Sequence, residues 1–194
     1  INYPIIERIA GECFMPLSYG GGITKLDEIE KILKLGVEKI VLNTAIHTNT
    51  AFIAEACQRY GSSTIVASID YKKNLWGKNY VYIHNGKDKT DYAPFELAKK
   101  MEEMGVGEIM LNSIDRDGTM GGVDLELWKE CVQKLSTPII GAGGIGNLAH
   151  MKQAIEQTQI AAIAAGSLFV YYGNNQSVLI NYPTQKEILA LNGD

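Results

Sequence analysis

The chain has 194 residues, 46% of them hydrophobic, with 18 Lys and Arg against 22 Asp and Glu and a net charge of −4. That size fits one well-buried domain, residues 1–194, and a slightly acidic chain without a basic block lacks the footprint of a nucleic-acid binder. Cys13, Cys57 and Cys131 are odd in number, far apart and in helix-like runs, so they read as reduced packing residues rather than disulfides or metal ligands.

In chain order, Ile1–Gly11 reads as an amphipathic helix with Ile5, Ile6 and Ile9 on one side. Six short runs rich in Val, Ile and Ala follow as strands: Met15–Ser18, Lys39–Asn43, Thr64–Ile69, Glu108–Ser113, Pro138–Ala142 and Ala161–Ala165. Between them, Leu26–Leu35, Thr50–Tyr60, Pro94–Met104, Asp124–Leu135 and Leu148–Gln157 space apolar residues as helices do. Thr24, Thr48 and Asn49 stand where helices begin, and Gly36, Gly61 and Gly105 where they end. After Asp70, the alternating Tyr80–Ile83 followed by Asn85-Gly86 signals a hairpin inserted between two βα units, a lid, ledge or plain decoration. No apolar run nears the ~20 residues that span a bilayer, and no signal-type start is present. A soluble, cytoplasmic protein without a membrane partner is the expectation.

Alternating strands and helices predict a (β/α)8 TIM barrel. An internal repeat sharpens this, because Gly21-Gly22-Ile23 recurs as Gly143-Gly144-Ile145, and Asn43-Thr44-Ala45 as Ala165-Gly166-Ser167, both 122 positions on. Two half-barrels of four units each are implied. The offset places the counterparts of Asp70 and Asp117 ahead of residue 1, so the first two βα units are expected to be absent from this chain, a barrel truncated at its N-terminus.

In such a barrel the chemistry sits at the C-terminal ends of the strands. Ser18–Ile23 and Gly141–Gly146 offer bare backbone N–H groups ahead of helices, and the next strand in each half ends in Asn43-Thr44 or Gly166-Ser167. One Gly-Gly is ordinary turn punctuation. Two matched sets at one offset predict two phosphate cradles and a ligand phosphorylated at both ends. Between them, Asp70 is the candidate general acid or base, since burial near phosphates raises a carboxyl pKa. Asp115 and Arg116 divide between a self-paired turn and a functional role, while Asp117-Gly118 shapes a loop facing a phosphate. His47, His84 and His150 lack metal-like spacing and read as structural or surface residues, and neither a metal nor a cofactor is expected.

The order and spacing of Pro16–Ile23, Asn43-Thr44-Ala45, Ile69–Lys72 and Glu108–Thr119 resemble the cyclase subunit of imidazole glycerol phosphate synthase from Pro4 to about Val170. The resemblance implies that Gly22, Asn43 and Thr44 contact one substrate phosphate, and that Asp117, Gly118, Gly144, Gly166 and Ser167 contact the other, with Gly143 added from the glycine turn itself. It makes Asp70 one of two catalytic aspartates, its mate lying on the first strand. It also implies a glutaminase subunit docked on the N-terminal barrel face, with Lys39 and Glu108 in a ring of charges gating ammonia. The implied reaction joins ammonia to a ribulosyl formimino intermediate, closes an imidazole ring and releases an aminoimidazole carboxamide ribotide.

Three features depart from the family. In the substrate pocket, Asn112 replaces the usual Thr and Ala142 the usual Ser, and Leu179–Gln185 is foreign to its tail. They resemble a paralogous branch from surface-polysaccharide clusters, in which ammonia serves amidation of a sugar. A non-catalytic phosphate-binding barrel is the third reading.

Overall fold

The computed structural model describes residues 1–172 and 177–191. Helix α1 (Tyr3–Glu12) starts at Asn2, whose side chain accepts from the Ile5 N–H at 3.3 Å. The chain then alternates β1 (Ser18–Gly20), α2 (Leu26–Lys34), β2 (Lys39–Leu42), a short α3 (Ala45–Thr48), α4 (Thr50–Tyr60) and β3 (Ile65–Lys73). An insert, β4 (Asn79–Ile83) and β5 (Asp88–Lys89), precedes α5 (Pro94–Glu103) and β6 (Glu108–Ser113). The alternation resumes with α6 (Leu125–Lys134), β7 (Ile139–Ala142), α7 (Leu148–Thr158), β8 (Ala162–Ala164) and a short α8 (Ser167–Val170). A small β9–β10 pair (Tyr171–Tyr172 with Ser177–Val178) and α9 (Gln185–Leu191) follow. Among the described residues, no helix is long and apolar enough to cross a membrane.

Local chemistry starts the helices near where the sequence indicates, except that Thr48 closes α3 and Asn49 alone caps α4. Asn49, Asp124 and Asn147 accept from the N–H groups of Phe52, Leu127 and His150 at 3.1, 3.4 and 2.9 Å. At α2 the cap is reversed, because the Glu28 carboxylate turns back to accept from the N–H groups of Thr24 (2.8 Å) and Lys25 (2.9 Å).

Six parallel strands form one curled path, β1-β2-β3-β6-β7-β8, as expected of part of a (β/α)8 barrel. Burial is least at its two ends. All of Ile65–Ile69 in β3 is buried, as a strand covered on both faces must be, whereas Ser18 and Gly20 of β1 and Ala162 of β8 are exposed. Among the described residues, β1 and β8 pair on one side only and form the edges of this path. Beside β1, the outer face of α1 leaves Ile5 and Ile9 half exposed over an open concavity of about 820 Å3 lined by Ile5, Arg8, Ile9, Glu12 and Cys13.

Most boundaries shift by one or two residues, and the larger differences from the sequence reading have physical causes. The first strand is Ser18–Gly20 rather than Met15–Ser18, and Phe14 and Met15 are 99% and 75% exposed. Its ladder starts only where Ser18 meets Lys39, and Pro16 has no N–H to extend it. Cys13 lies just past α1 rather than within a helix. β3 continues four residues beyond Ile69, because β4 folds back antiparallel and pairs Asp70 with Tyr82 and Lys73 with Asn79. The Asn85-Gly86 hairpin forms as expected.

The 122-residue offset holds at the level of elements that propensity does not reveal. α3 and α8 are each four residues long, and Ala45 and Ser167, their first residues, are 122 apart, as are Leu26 and Leu148, which open α2 and α7.

Trp128 of α6 is fully buried, and its ring lies against Gly141 so closely that a Cβ there would sit 2.5 Å from the ring carbons. Gly141→Ala is therefore expected to destabilise the protein by about 1–3 kcal/mol through overpacking, measured by denaturant titration. An unchanged midpoint would show that the indole shifts freely.

Candidate functional site

Two cavities open at the C-terminal ends of the strands. The first, about 470 Å3, is lined by Gly21–Thr24 after β1, Val41–Ala45 around the end of β2, Asp70 of β3, and His84 and Asn85 of the inserted turn. The second, about 300 Å3, is lined by Met110 and Asn112 of β6, Asp117 and Gly118, Ala142–Ile145 after β7, and Ala164–Ser167 after β8. The residues expected of each cradle thus meet in one cavity: Gly22, Asn43 and Thr44 in the first, and Asp117, Gly118, Gly143, Gly144, Gly166 and Ser167 in the second, with Asn112 and Ala142.

The two glycine turns share a backbone form but differ in their surroundings. Gly21 and Gly22 hold φ of 114° and 70°, and Gly143 and Gly144 both 92°, a region that residues with a Cβ avoid. A Cβ on Gly21 would meet open space, whereas one on Gly143 would sit 2.5 Å from the Ser113 carbonyl oxygen and one on Gly144 at 2.1 Å from that of Gly122. The second turn is clamped against the loop after β6, and the Gly122 N–H donates to the Gly144 carbonyl at 2.9 Å.

Asp70 and Asn112 join the two cavities. They are register partners across β3 and β6, and the Asn112 amide donates to Asp70 Oδ1 at 2.9 Å. Burial pushes the half-buried Asp70 carboxyl above the ordinary carboxylate range; the amides of Asn112 and Asn43 oppose this rise and the charge of Asp117 adds to it. Asn43 also donates to the Ser68 carbonyl at 3.1 Å, which anchors the end of β2 to β3.

Asp115 and Arg116 serve the loop itself. Asp115 accepts from Ser113 Oγ (2.8 Å) and the Lys73 N–H (3.1 Å), and Arg116 donates to the Gly122 carbonyl (3.1 Å). Of the histidines, His150 accepts from the Gly146 N–H at 3.2 Å, and His47 packs edge-on to Tyr92 with its pKa lowered, first by burial and then by Lys100. His84 is exposed at the surface, where it lines the first cavity. Spacing alone does not reveal this, because the pairing of β4 on β3 carries it there. Among the described residues, no group of three or more His, Cys, Asp and Glu side chains is arranged to hold a metal.

At the opposite end of the sheet, Lys39 opens β2 and Glu108 opens β6, flanking β3. Composition suggests solvent-facing charges, but they form an ion pair at 2.5 Å with side chains 33% and 24% exposed.

Two outcomes follow from this geometry. Crystals grown in inorganic phosphate are expected to show density near the Gly22 and Gly144 amides; density at neither would refute the paired cradles. Since folding raises the Asp70 pKa, the native state keeps a proton that the unfolded chain releases, and stability falls as pH rises from the ordinary carboxylate pKa through the elevated one. Asp70→Asn removes that penalty, so the variant is expected to melt above the parent at pH 7, the gap closing below about pH 4. Equal melting temperatures at pH 7 would contradict it.

Comparison with known proteins agrees with the arrangement. The profile of the histidine biosynthesis protein family matches residues 1–176. A Pseudomonas aeruginosa protein provisionally named imidazole glycerol phosphate synthase subunit hisF2 is 46% identical over 182 residues, covering 94% of this chain and 72% of its own length. A Leptospira borgpetersenii protein provisionally named subunit HisF is 48% identical over 191 residues, covering 97% and 75%. One from Vibrio vulnificus, provisionally named subunit hisF3, is 41% identical over 187 residues, covering 96% and 72%. With a family profile matched over most of its length and relatives above 40% identity, this chain belongs to the histidine biosynthesis protein family.

Proposed function

We propose that the chain is the cyclase-type subunit of an imidazole glycerol phosphate synthase, acting on a ribulosyl formimino substrate with a phosphate at each end. The observation that carries this reading is the Asp70–Asn112 pair standing between two glycine-lined cavities at one mouth. A ligand held by a phosphate in each cavity has its reacting middle over Asp70, which removes translational freedom before chemistry begins. With Asn112 fixing the plane of the carboxyl, Asp70 takes a proton from the nitrogen that adds to the substrate and returns one as the imidazole ring closes and the ribotide leaves. An elevated pKa suits a group that must both accept and donate near neutral pH.

The nitrogen is ammonia, supplied by a glutaminase partner docked over the N-terminal ends of the strands. There the Lys39–Glu108 pair acts as part of the gate. A reading as a sugar-amidation paralogue draws on Asn112, whose amide donates to Asp70 where a hydroxyl would both donate and accept.

Asp70→Asn is expected to lower ammonia-dependent turnover by ~10²-fold or more, with affinity for inorganic phosphate nearly unchanged. Equal turnover in the variant would remove Asp70 from the chemistry. Phosphate binding without turnover in either protein would favour the paralogue. Glu108→Gln is expected to lower glutamine-dependent turnover while leaving turnover with added ammonium salt near the parent's; equal loss in both assays would argue against a gate.

A further inference from the structure

The turn between β4 and β5 is the part of the site mouth that the chemistry above leaves unused. His84 and Asn85 line the first cavity together with Gly22, Asn43, Thr44 and Asp70. His84, Asn85 and Gly86 are all left-handed, with φ of 52°, 59° and 75°. Two successive residues with side chains in that region are uncommon, and such backbone persists where its surroundings hold it.

Here they do. The Lys87 N–H donates to the Ile83 carbonyl at 3.2 Å, and Lys72 Nζ to the Gly86 carbonyl at 3.4 Å. Gly86 lies so near the loop after β6 that a Cβ would sit 2.7 Å from the Ile114 side chain. The register of Tyr82 on Asp70 fixes how far the turn reaches past the catalytic carboxyl. His84 Nδ1 lies 2.6 Å from the Asp88 carboxylate, so the ring is held at one nitrogen and Nε2 has no partner among the described residues. The insert also concentrates positive charge on an acidic protein: residues 72–91 carry Lys72, Lys73, Lys78, Lys87 and Lys89 against Asp88 and Asp91.

We propose that His84 is a further ligand of the anion bound in the first cavity. With Nδ1 held by Asp88, the ring presents Nε2 to a phosphate oxygen already cradled by the Gly22 and Thr44 side of the cavity. This rests on the reading of that cavity as a phosphate site, and it makes the inserted hairpin a recognition wall for the phosphorylated end of the ligand.

Inorganic phosphate is the probe, titrated into the full chain while the amide signals of Gly22 and Gly144 report the two cavities separately by NMR. His84→Asn suits the left-handed backbone, and unchanged Gly22 and Gly144 signals without phosphate show that the turn survives. The expected result is about tenfold weaker phosphate binding at the Gly22 reporter with none lost at Gly144. In the parent, the His84 ring nitrogens shift along the same binding curve. Asp88→Asn keeps the ring and repeats the test, with an expected loss of about threefold at Gly22. If His84→Asn binds within twofold of the parent while Thr44→Val weakens binding, the cradle stands and the role of His84 is overturned. If Gly22 in the parent does not respond to phosphate, the cradle reading fails and this proposal falls with it.

Discussion

The pairing of β3 with β6 is the constraint on which the site depends. Six consecutive register pairs, from Val66–Glu108 to Tyr71–Ser113, lock the two central parallel strands together and set Asp70 beside Asn112. A carboxyl at that point is shielded by the walls of the sheet yet open to the mouth, which is why burial raises its pKa and a neighbouring amide holds its orientation. Because Asp70 belongs to a ladder on both sides, with β6 and with β4, it is fixed by backbone rather than by a loop.

The two cavities are built from one plan and stabilised differently. Both use paired left-handed glycines after one strand and a short helix after the next. In the second half, carbonyls of Ser113 and Gly122 press on the glycines, so packing alone shapes the turn. In the first half the glycine backbone is nearly uncrowded, and the wall opposite comes from the β4–β5 turn, itself held by Lys72 and by contact with Ile114. The insert and the first cavity are therefore parts of one construction, and both are anchored on β3.

That strand also relates the two ends of the molecule. Lys39 and Glu108 belong to the strands on either side of it, and their partly buried ion pair closes over its N-terminal end. Partly buried charges are worth keeping only when paired, and this pair sits where solvent access is already reduced. In the proposed function, nitrogen passes from this end to Asp70 along the inner face of the same strands.

The amino-acid sequence by itself determined the alternation of strands and helices, the helix starts at Asn49, Asp124 and Leu148, the Asn85-Gly86 hairpin and the two matched glycine turns. These are properties of local periodicity, capping chemistry and repetition, readable within a few residues or at one constant offset. The tertiary structure alone decided where strands end, because a ladder requires a partner: β1 waits for Lys39, and β3 runs on to Lys73 under β4. It likewise decided that Lys39 and Glu108 meet, that Asp115 reaches the Lys73 N–H of β3, and that His84 lines the first cavity. Each of these depends on residues distant in the chain, and no local pattern of hydrophobicity records which backbone will lie beside which.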